Sequence, residues 1–153
     1  MPVTVKNADL DRLIASLSAL DGRPELVKMV GTDGTDRNMV NVIPYKLSAK
    51  VRLLAAKWIT ALKGQADIAK KAQDAIFKAH QKAGEPGKPD QIPPENMKAY
   101  GDDLDALRDE STAHDIALLP LAHLNVEANN LPVTVLSNLA ALIDDAEPEP
   151  KKA

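Results

Sequence analysis

The sequence has 153 residues, 44% of them hydrophobic and 27% charged, which is enough chain for one domain with a substantial core. It contains no cysteine and only 3% aromatic residues, which excludes disulfide scaffolds, thiolate metal sites and iron–sulfur clusters and requires an aliphatic core. The formal net charge of −3 argues against a protein that coats nucleic acid with a strongly basic surface. No apolar run approaches the ~18 residues of a membrane span.

The first predicted elements are a brief strand and a helix. Val3, Thr4 and Val5 have the β-branched content of a short strand. Apolar residues at helical spacing predict an amphipathic helix over residues 7–20, which Asn7 can cap. These apolar positions are Leu10, Leu13, Ile14, Leu17 and Leu20.

Two β-rich runs, residues 25–30 and 38–43, flank glycines, aspartates and threonines over residues 31–36. Glycine adopts positive φ without strain and aspartate bonds its own backbone, so the middle segment is typical of a turn. The three segments together predict a β-hairpin, which Pro44 ends because proline cannot donate to a ladder. The turn contains oxygen ligands but lacks the spacing and terminal Glu of a calcium loop and the Gly-Lys-Ser/Thr of a phosphate loop.

A long helix is predicted from the cap residue Ser48 to about residue 83, a stretch without proline. Its apolar and small side chains alternate spacings of three and four, which is the period of about 3.5 residues found where one helix faces another. These seam positions are Val51, Leu54, Trp58, Ala61, Gln65, Ile68, Ala72, Ala75 and Ala79. Whether the helix breaks at Gly64 is left open, because Gly costs about 1 kcal/mol relative to Ala.

A proline-rich connector over residues 84–94 follows, and Pro94 suits the first turn of another helix. In that helix Met97, Tyr100, Leu104 and Leu107 repeat the spacing of three and four. Two helices with matching seams and a stiff connector predict a long antiparallel helical hairpin over about residues 48–112.

The last third of the chain is predicted to hold a strand and a helix. Apolar residues of one parity over residues 114–126 predict a strand, which Pro120 makes an edge or bulged strand. Val135, Leu136, Leu139 and Leu142 predict a final amphipathic helix. Residues 146–153 are expected to form a flexible acidic and proline-containing tail.

The predicted fold class is therefore α+β, predominantly α. It comprises the long antiparallel helical hairpin, short terminal helices and a small antiparallel sheet or hairpin. A single domain is expected over residues 1–145, and whether the short strands join one sheet is left open.

Charge is segregated along the chain. Residues 48–83 hold eight Lys or Arg and two Asp, a balance of +6, whereas residues 95–110 hold six acids and two bases, a balance of −4. Opposite charges on the two helices favour exposed pairs that fix their register, each contributing less than about 1 kcal/mol. The basic side chains are spread around the helix and aromatics are scarce, so nucleic-acid binding is disfavoured. They are Lys50, Arg52, Lys57, Lys63, Lys70, Lys71, Lys78 and Lys82.

The acidic cluster is the first candidate for chemistry. Asp102, Asp105 and Asp109 fall on one helical face, next to Asp103 and Glu110. Paired carboxylates can hold a divalent cation or perform acid–base work. The interpretation favoured is charge pairing with the basic helix, and a metal-dependent enzyme is the weaker alternative.

The three histidines are the second candidate, because a metal or general base would most naturally use them. His114 and His123 are nine residues apart, an odd separation that sends them to opposite faces of a strand unless a bulge at Pro120 restores the phase. His80 lies near the C-terminal end of the long helix, where a partly protonated imidazole interacts favourably with the helix dipole. Surface or capping roles are favoured for all three. No Gly-x-Ser-x-Gly, His-Glu-x-x-His or Gly-x-Gly-x-x-Gly motif occurs, so no catalytic, cofactor-binding or metal-binding residue and no cofactor is predicted.

Three stretches of the sequence resemble known proteins in their pattern of residue types. They are Val3-Thr4-Val5-Lys6-Asn7 before the first helix, Ile43-Pro44-Tyr45-Lys46-Leu47 before the long helix, and Leu124-Asn125-Val126 before the last one. In these the chain resembles a loosely defined family of small uncharacterised bacteriophage proteins encoded among virion structural genes. The resemblance covers most of the chain, carries over no functional residue, and implies a virion component or assembly factor rather than an enzyme.

We therefore expect a non-enzymatic bacteriophage structural or assembly protein, such as a head, neck or tail accessory protein, that binds protein partners and copies of itself. The contact surfaces expected are residues 31–38, 84–94 and 144–153. The polar, amphipathic start predicts no secretion signal, so the expected location is the host cytoplasm during assembly, the virion, or both. Membrane and nucleic-acid partners are not expected. The alternative is a small phage-encoded inhibitor or adaptor that binds a host protein through the acidic helix face and the tail.

Overall fold

A computed structural model of the protein describes residues 2–82 and 90–146. Its strands are β1 (Val3–Lys6), β2 (Arg23–Val30), β3 (Asp36–Ile43), β4 (Ser111–His114), β5 (Leu119–Pro120) and β6 (Ile143–Asp144). Its helices are α1 (Leu10–Ser18), α2 (Ala49–His80), α3 (Met97–Asp109), α4 (Val126–Asn129) and α5 (Val133–Asn138). Short 3-10 turns lie on both sides of α1, before α3 and α4, and after α5.

The fold is α+β, as predicted. Strands β1 and β4 form one antiparallel pair, β2 and β3 form another, and β5 and β6 form a parallel pair. Each pair is a separate two-stranded sheet within the described residues, which answers the question that the sequence left open. None of the helices in the described ranges has the length and apolarity that crossing a membrane requires.

The chain divides into two compact units. One contains the residues up to Asp11 together with Thr60–Ile116, and the other contains Arg12–Ile59 together with the residues from Ala117 onward. Helix α2 contributes to both units without interruption. The single domain expected over residues 1–145 stays a prediction.

Most of the buried apolar side chains belong to the unit that contains Arg12–Ile59. Its core is aliphatic except for Tyr45 and Trp58. The indole N–H of Trp58 donates a hydrogen bond to the Ala117 carbonyl at 2.9 Å. Fully burying one such side chain contributes about 1.5–3 kcal/mol, so this set supplies most of the unit's stability. In this unit, the apolar side chains that are at most 2% exposed are Leu13, Leu17, Leu20, Val51, Trp58, Leu119, Leu124, Leu139 and Leu142.

The other unit contains a buried polar network around Gln65, which is 6% exposed. Its side-chain amide donates to the Val5 carbonyl at 3.0 Å and to Asn7 Oδ1 at 2.8 Å, and Gln65 Oε1 bonds His114 Nε2 at 2.7 Å. Asn7 is not the helix cap that the sequence predicted, because its amide donates instead to the Leu107 carbonyl at 2.8 Å. The network ties β1, α2, α3 and β4 to one another.

Helix α2 is a single helix that passes through Gly64 without a break. Its predicted cap is confirmed, since Ser48 Oγ accepts a hydrogen bond from the Val51 N–H at 3.3 Å. A Cβ added at Gly64 would meet nothing within 4 Å, so glycine is not required there by a close approach.

Burial follows the predicted seam of α2 up to Gln65 and again at Ala72, but not at the other three late positions. Val51, Trp58 and Gln65 are buried, but Ile68 is 71% exposed, and Ala75 and Ala79 are exposed as well. A repeat of about 3.5 residues drifts by about 20° per heptad from the 3.6-residue turn of a straight helix. The side chains that continue the inward face at 3.6-residue spacing are Ala69, Ala72, Ile76 and His80, all half-buried.

The strand predicted over residues 114–126 is largely wrong. The structure has only β4 and β5 there, followed by a 3-10 turn that leads into α4. Asn125 has φ +47° and Asn130 has φ +51°, in the left-handed region that interrupts extended chain. The last predicted helix is confirmed as α5 and the following 3-10 turn, with Leu139 and Leu142 fully buried.

Candidate protein interface

The β2–β3 hairpin is the part of the described chain with the most exposed apolar surface. The two strands pair in register from Arg23 with Ile43 to Val30 with Asp36, which confirms the predicted hairpin. Among the described residues they pair with no other strand, so both outer edges are unpaired. β3 ends at Ile43, directly before Pro44, as the sequence predicts.

The turn of the hairpin depends on Gly34. Its φ of +78° is in the region that favours glycine, and its N–H donates to the Gly31 carbonyl at 2.9 Å. The Gly31 N–H donates in turn to the Thr35 carbonyl at 2.9 Å, which closes the loop between the strands. The loop chemistry thus fixes the register of the two strands.

Asp33 reinforces the turn with its side chain. Asp33 Oδ1 accepts hydrogen bonds from the Thr35 hydroxyl at 2.6 Å and from the Thr35 N–H at 3.2 Å. These two bonds favour the charged carboxylate and hold the pKa of Asp33 below its ordinary value. The exposed carboxylate therefore has a structural partner, as expected of a turn rather than of a cation site.

At the other end of the hairpin, the chain approaches itself closely at Gly22. A Cβ there would lie 2.5 Å from the Ile43 carbonyl oxygen and 2.6 Å from a methyl carbon of Val42. No side chain fits that space, so glycine is required. This contact fixes where β3 ends relative to the start of β2.

One face of the hairpin carries the even-numbered residues of both strands, and we call it the aliphatic face. Residues that pair directly across two strands point to the same side, so this face consists of four rows. Each row is one pair of residues, one from each strand. From the base of the hairpin to its turn, the pairs are Pro24 with Val42, Leu26 with Val40, Lys28 with Asn38, and Val30 with Asp36.

The aliphatic face is open to solvent. Leu26 is 75% exposed, Val30 74%, Val40 65% and Val42 54%. On the opposite face Met29 and Met39 are about half exposed, whereas Val27 and Ile43 are half-buried. Contiguous exposed apolar side chains, here Leu26, Val40 and Val42, mark interaction surfaces. An isolated two-stranded hairpin is also only marginally stable in water.

The other two contact surfaces predicted from the sequence lie mostly outside the described residues. The connector 84–94 is described only from Asp90, where Gln91 forms an isolated bridge with Lys82. The tail 144–153 is described only to Ala146. The predicted flexibility of residues 146–153 falls almost wholly on residues outside the described ranges.

Three of the four acidic residues of α3 have separate partners. Asp103 Oδ2 lies 2.6 Å from His80 Nε2 on α2, and Asp109 lies 3.7 Å from the Lys6 ammonium. Asp105 pairs at 3.7 Å with Arg108 on its own helix. No three His, Asp or Glu side chains among the described residues form a group that could hold a metal ion.

The three histidines also have different partners. His80 bonds Asp103 and packs its ring edge-on against Tyr100, with 6.1 Å between ring centroids. His114 Nε2 bonds Gln65, and His123 Nδ1 lies 3.2 Å from the Ser48 hydroxyl. Of the predicted chemical candidates, the structure thus brings His80 and Asp103 together as a pair, and within the described ranges no third His, Asp or Glu completes a metal site there.

The basic residues of α2 are exposed. That nucleic acid is not a partner stays a prediction. Arg52 uses its guanidinium to donate to the Tyr45 carbonyl at 2.7 Å, which holds the segment before α2.

Two open depressions, of about 470 and 330 Å³, lie in the unit that contains Gln65, and Asn7 and Leu107 line both. The larger is bordered by Asp11, Asp67 and Lys70, all on the surface. The smaller is bordered by His114, whose Nε2 is already engaged by Gln65. The hairpin, with its exposed apolar side chains, is the better candidate site.

Asn129 is a structural residue that sequence reasoning missed. Its Oδ1 accepts from the Lys46 N–H at 2.7 Å, and its amide donates to the Lys46 and Leu124 carbonyls at 3.1 and 2.8 Å. Together with Asn125, which donates to the same Lys46 carbonyl at 2.8 Å, it positions the segment that follows the hairpin. The signal was the density of asparagines at residues 125–130, which favours local side-chain bonds to the backbone.

Comparison of the chain with protein-family models, with curated proteins and with solved structures found no match.

Proposed function

We propose that this chain is a non-enzymatic structural or assembly protein that acts through protein–protein contacts, with the β2–β3 hairpin as its principal contact surface. The observation that carries the proposal is the exposure of the hairpin's aliphatic face. Burying the exposed fractions of Leu26, Val30, Val40 and Val42 against a partner would contribute about 4–8 kcal/mol of favourable free energy to binding.

The geometry of the hairpin supports a contact role. Its register is fixed at the turn by Gly34 and Asp33 and at the base by Gly22, so the exposed face is presented in one defined arrangement. A preorganised surface loses less conformational entropy when it binds. The site therefore fits a rigid protein partner better than a small substrate.

The long antiparallel helical hairpin is part of the same proposal. Contacts between α2 and α3 support it: Phe77 meets Tyr100 edge to face at 6.2 Å between ring centroids, and His80 bonds Asp103. The Asn96 amide also donates to the His80 carbonyl at 3.0 Å. Residues early in α3 thus contact residues late in α2, as antiparallel neighbours do.

We further propose that the setting is a bacteriophage particle or its assembly in the host cytoplasm, on the strength of the sequence resemblance. Mass spectrometry of purified particles from the source that encodes this chain tests it directly. The chain should be present in stoichiometric amount or in assembly intermediates. Its absence from both would overturn the particle setting.

A second experiment tests the contact surface. Leu26→Asp should remove the chain from particles or from its complexes, because a carboxylate would interrupt the aliphatic face. Glu25→Asp, a neighbouring change on the opposite face, is the control and should be incorporated normally. Equal incorporation of both variants would refute the assignment of this surface.

The exposed acids of α3 favour a second candidate, an inhibitor or adaptor of a host protein. Asp105 and Asp109 are 74% and 79% exposed, so they are accessible to a basic partner. Affinity capture of the full chain from host lysate distinguishes the two. Recovery of one host protein, lost in Asp105→Lys and retained in Leu26→Asp, would favour the inhibitor.

A further inference from the structure

We propose that the aliphatic face of the hairpin docks on the same face of a second copy of this chain, with the two hairpins stacked about a two-fold axis parallel to their strands. The inference rests on the proposed contact function and adds the identity of the partner and the register of the contact. It uses only residues of the hairpin.

The first argument is the order of rows along the aliphatic face. A two-fold axis parallel to the strands lays β2 over the partner's β3, so every row meets the same row of the other copy. Leu26 then faces the partner's Val40, and Pro24 faces the partner's Val42. Stacked sheets pack about 10 Å apart, a spacing that side chains of this size fill.

The second argument is charge complementarity near the turn. In the same stack Lys28 lies over the partner's Asn38, and the partner's Asp36 is the next residue on that face of the strand. Neither Lys28 nor Asp36 takes part in the ion pairs found within the described residues. The symmetry creates two equivalent Lys28–Asp36 contacts between the copies.

The opposite orientation is poorer. An axis perpendicular to the strands would lay the base of one hairpin on the turn of the other, so that Leu26 and Val40 met Lys28 and Asn38. That arrangement makes three kinds of contact between an aliphatic side chain and a charged or polar one, and it leaves the charges without partners. The parallel axis makes one such contact, between Val30 and the partner's Asp36. The row order therefore selects the parallel axis.

A second copy fits better than an unrelated protein because the face is complementary to itself in both apolarity and charge. A two-fold contact requires that self-complementarity. One face of a two-stranded hairpin is small beside the ~800 Å² per partner of a standard interface, so we expect reversible, concentration-dependent association.

Charge-reversal complementation tests the inference. Lys28→Asp and Asp36→Lys should each weaken self-association of the full chain by about tenfold or more, because each places like charges together. An equimolar mixture of the two variants should recover to within about threefold of the natural chain, since both cross-copy pairs are again opposite in sign. Sedimentation equilibrium over a range of concentrations measures the self-association of the two variants and of their mixture.

Matched controls come from the opposite face. Arg37→Asp changes the net charge as Lys28→Asp does, and Glu25→Lys changes it as Asp36→Lys does. Both should associate like the natural chain. Far-UV circular dichroism should be the same for all variants, since the substituted side chains are exposed.

Three outcomes would overturn the inference: a natural chain that stays monomeric up to ~1 mM, single variants that associate normally, or a mixture that fails to recover. The proposed function is judged separately by incorporation of Leu26→Asp into particles. If the natural chain is a monomer but Leu26→Asp is excluded from particles, the contact function stands and the second copy as its partner does not.

Discussion

Replacing Gln65 by methionine should destabilise the protein by about 2–4 kcal/mol. Methionine keeps nearly the volume of glutamine, so the change removes hydrogen bonds without opening a cavity. Gln65 makes three side-chain bonds, to the Val5 carbonyl, to Asn7 and to His114. Each bond contributes about 1 kcal/mol net, and a buried partner left unsatisfied adds about 1–3 kcal/mol.

The measurement is equilibrium urea unfolding followed by far-UV circular dichroism, with Gln73→Met as the control. Gln73 is exposed on the same helix, so its substitution should change stability by no more than about 0.5 kcal/mol. The thermal midpoint of Gln65→Met should fall by about 5–15 °C. A loss below about 1 kcal/mol, or one equal to that of the control, would refute a stabilising role for the network.

Three further predictions concern single positions. Gly64→Ala should stabilise the protein by about 1 kcal/mol in urea unfolding, because alanine has the higher helix propensity and a Cβ at this position meets no atom within 4 Å. A decrease in stability would contradict this prediction. The lowered pKa of Asp33 means that its bonds to Thr35 are kept at neutral pH and lost as pH falls through that pKa. NMR titration should show the Asp33 pKa rising in Thr35→Ala, and identical curves would contradict this cause. Trp58→Phe should cost about 2 kcal/mol, since it removes the bond to Ala117 and ring volume, and an unchanged urea midpoint would contradict it.

The hairpin was predictable because its signals are local. Turn residues and β-branched strands act within about eight residues of each other, and Pro44 marks the end of β3 at the residue level. Its exposure was not predictable from the sequence, because alternation of Leu26 and Val40 with polar residues is equally typical of a strand with one buried face. Burial depends on what packs against a strand, which no local pattern encodes.

The prediction of the α2 seam was wrong in part for a different reason. Spacings of three and four describe both a heptad and a straight helix over two turns, and the two diverge only with length. Trp58 and Gln65 fit both periods, whereas Ile68 fits only the heptad and is exposed. The candidate site had the same limit: residues 31–38 were predicted to form a turn and a contact surface, but the exposure of the aliphatic face on the adjoining strands could not be predicted from the sequence.

The division of the chain has a consequence for its dissection. Each compact unit is assembled from two stretches of sequence separated by the other's residues, and α2 belongs to both. No single cut therefore releases either unit as a continuous fragment, and a truncation from either end that reaches into residues 12–116 removes part of both. Deletion mapping inside that range cannot assign a function to one unit, so point variants on the surface are the informative tool.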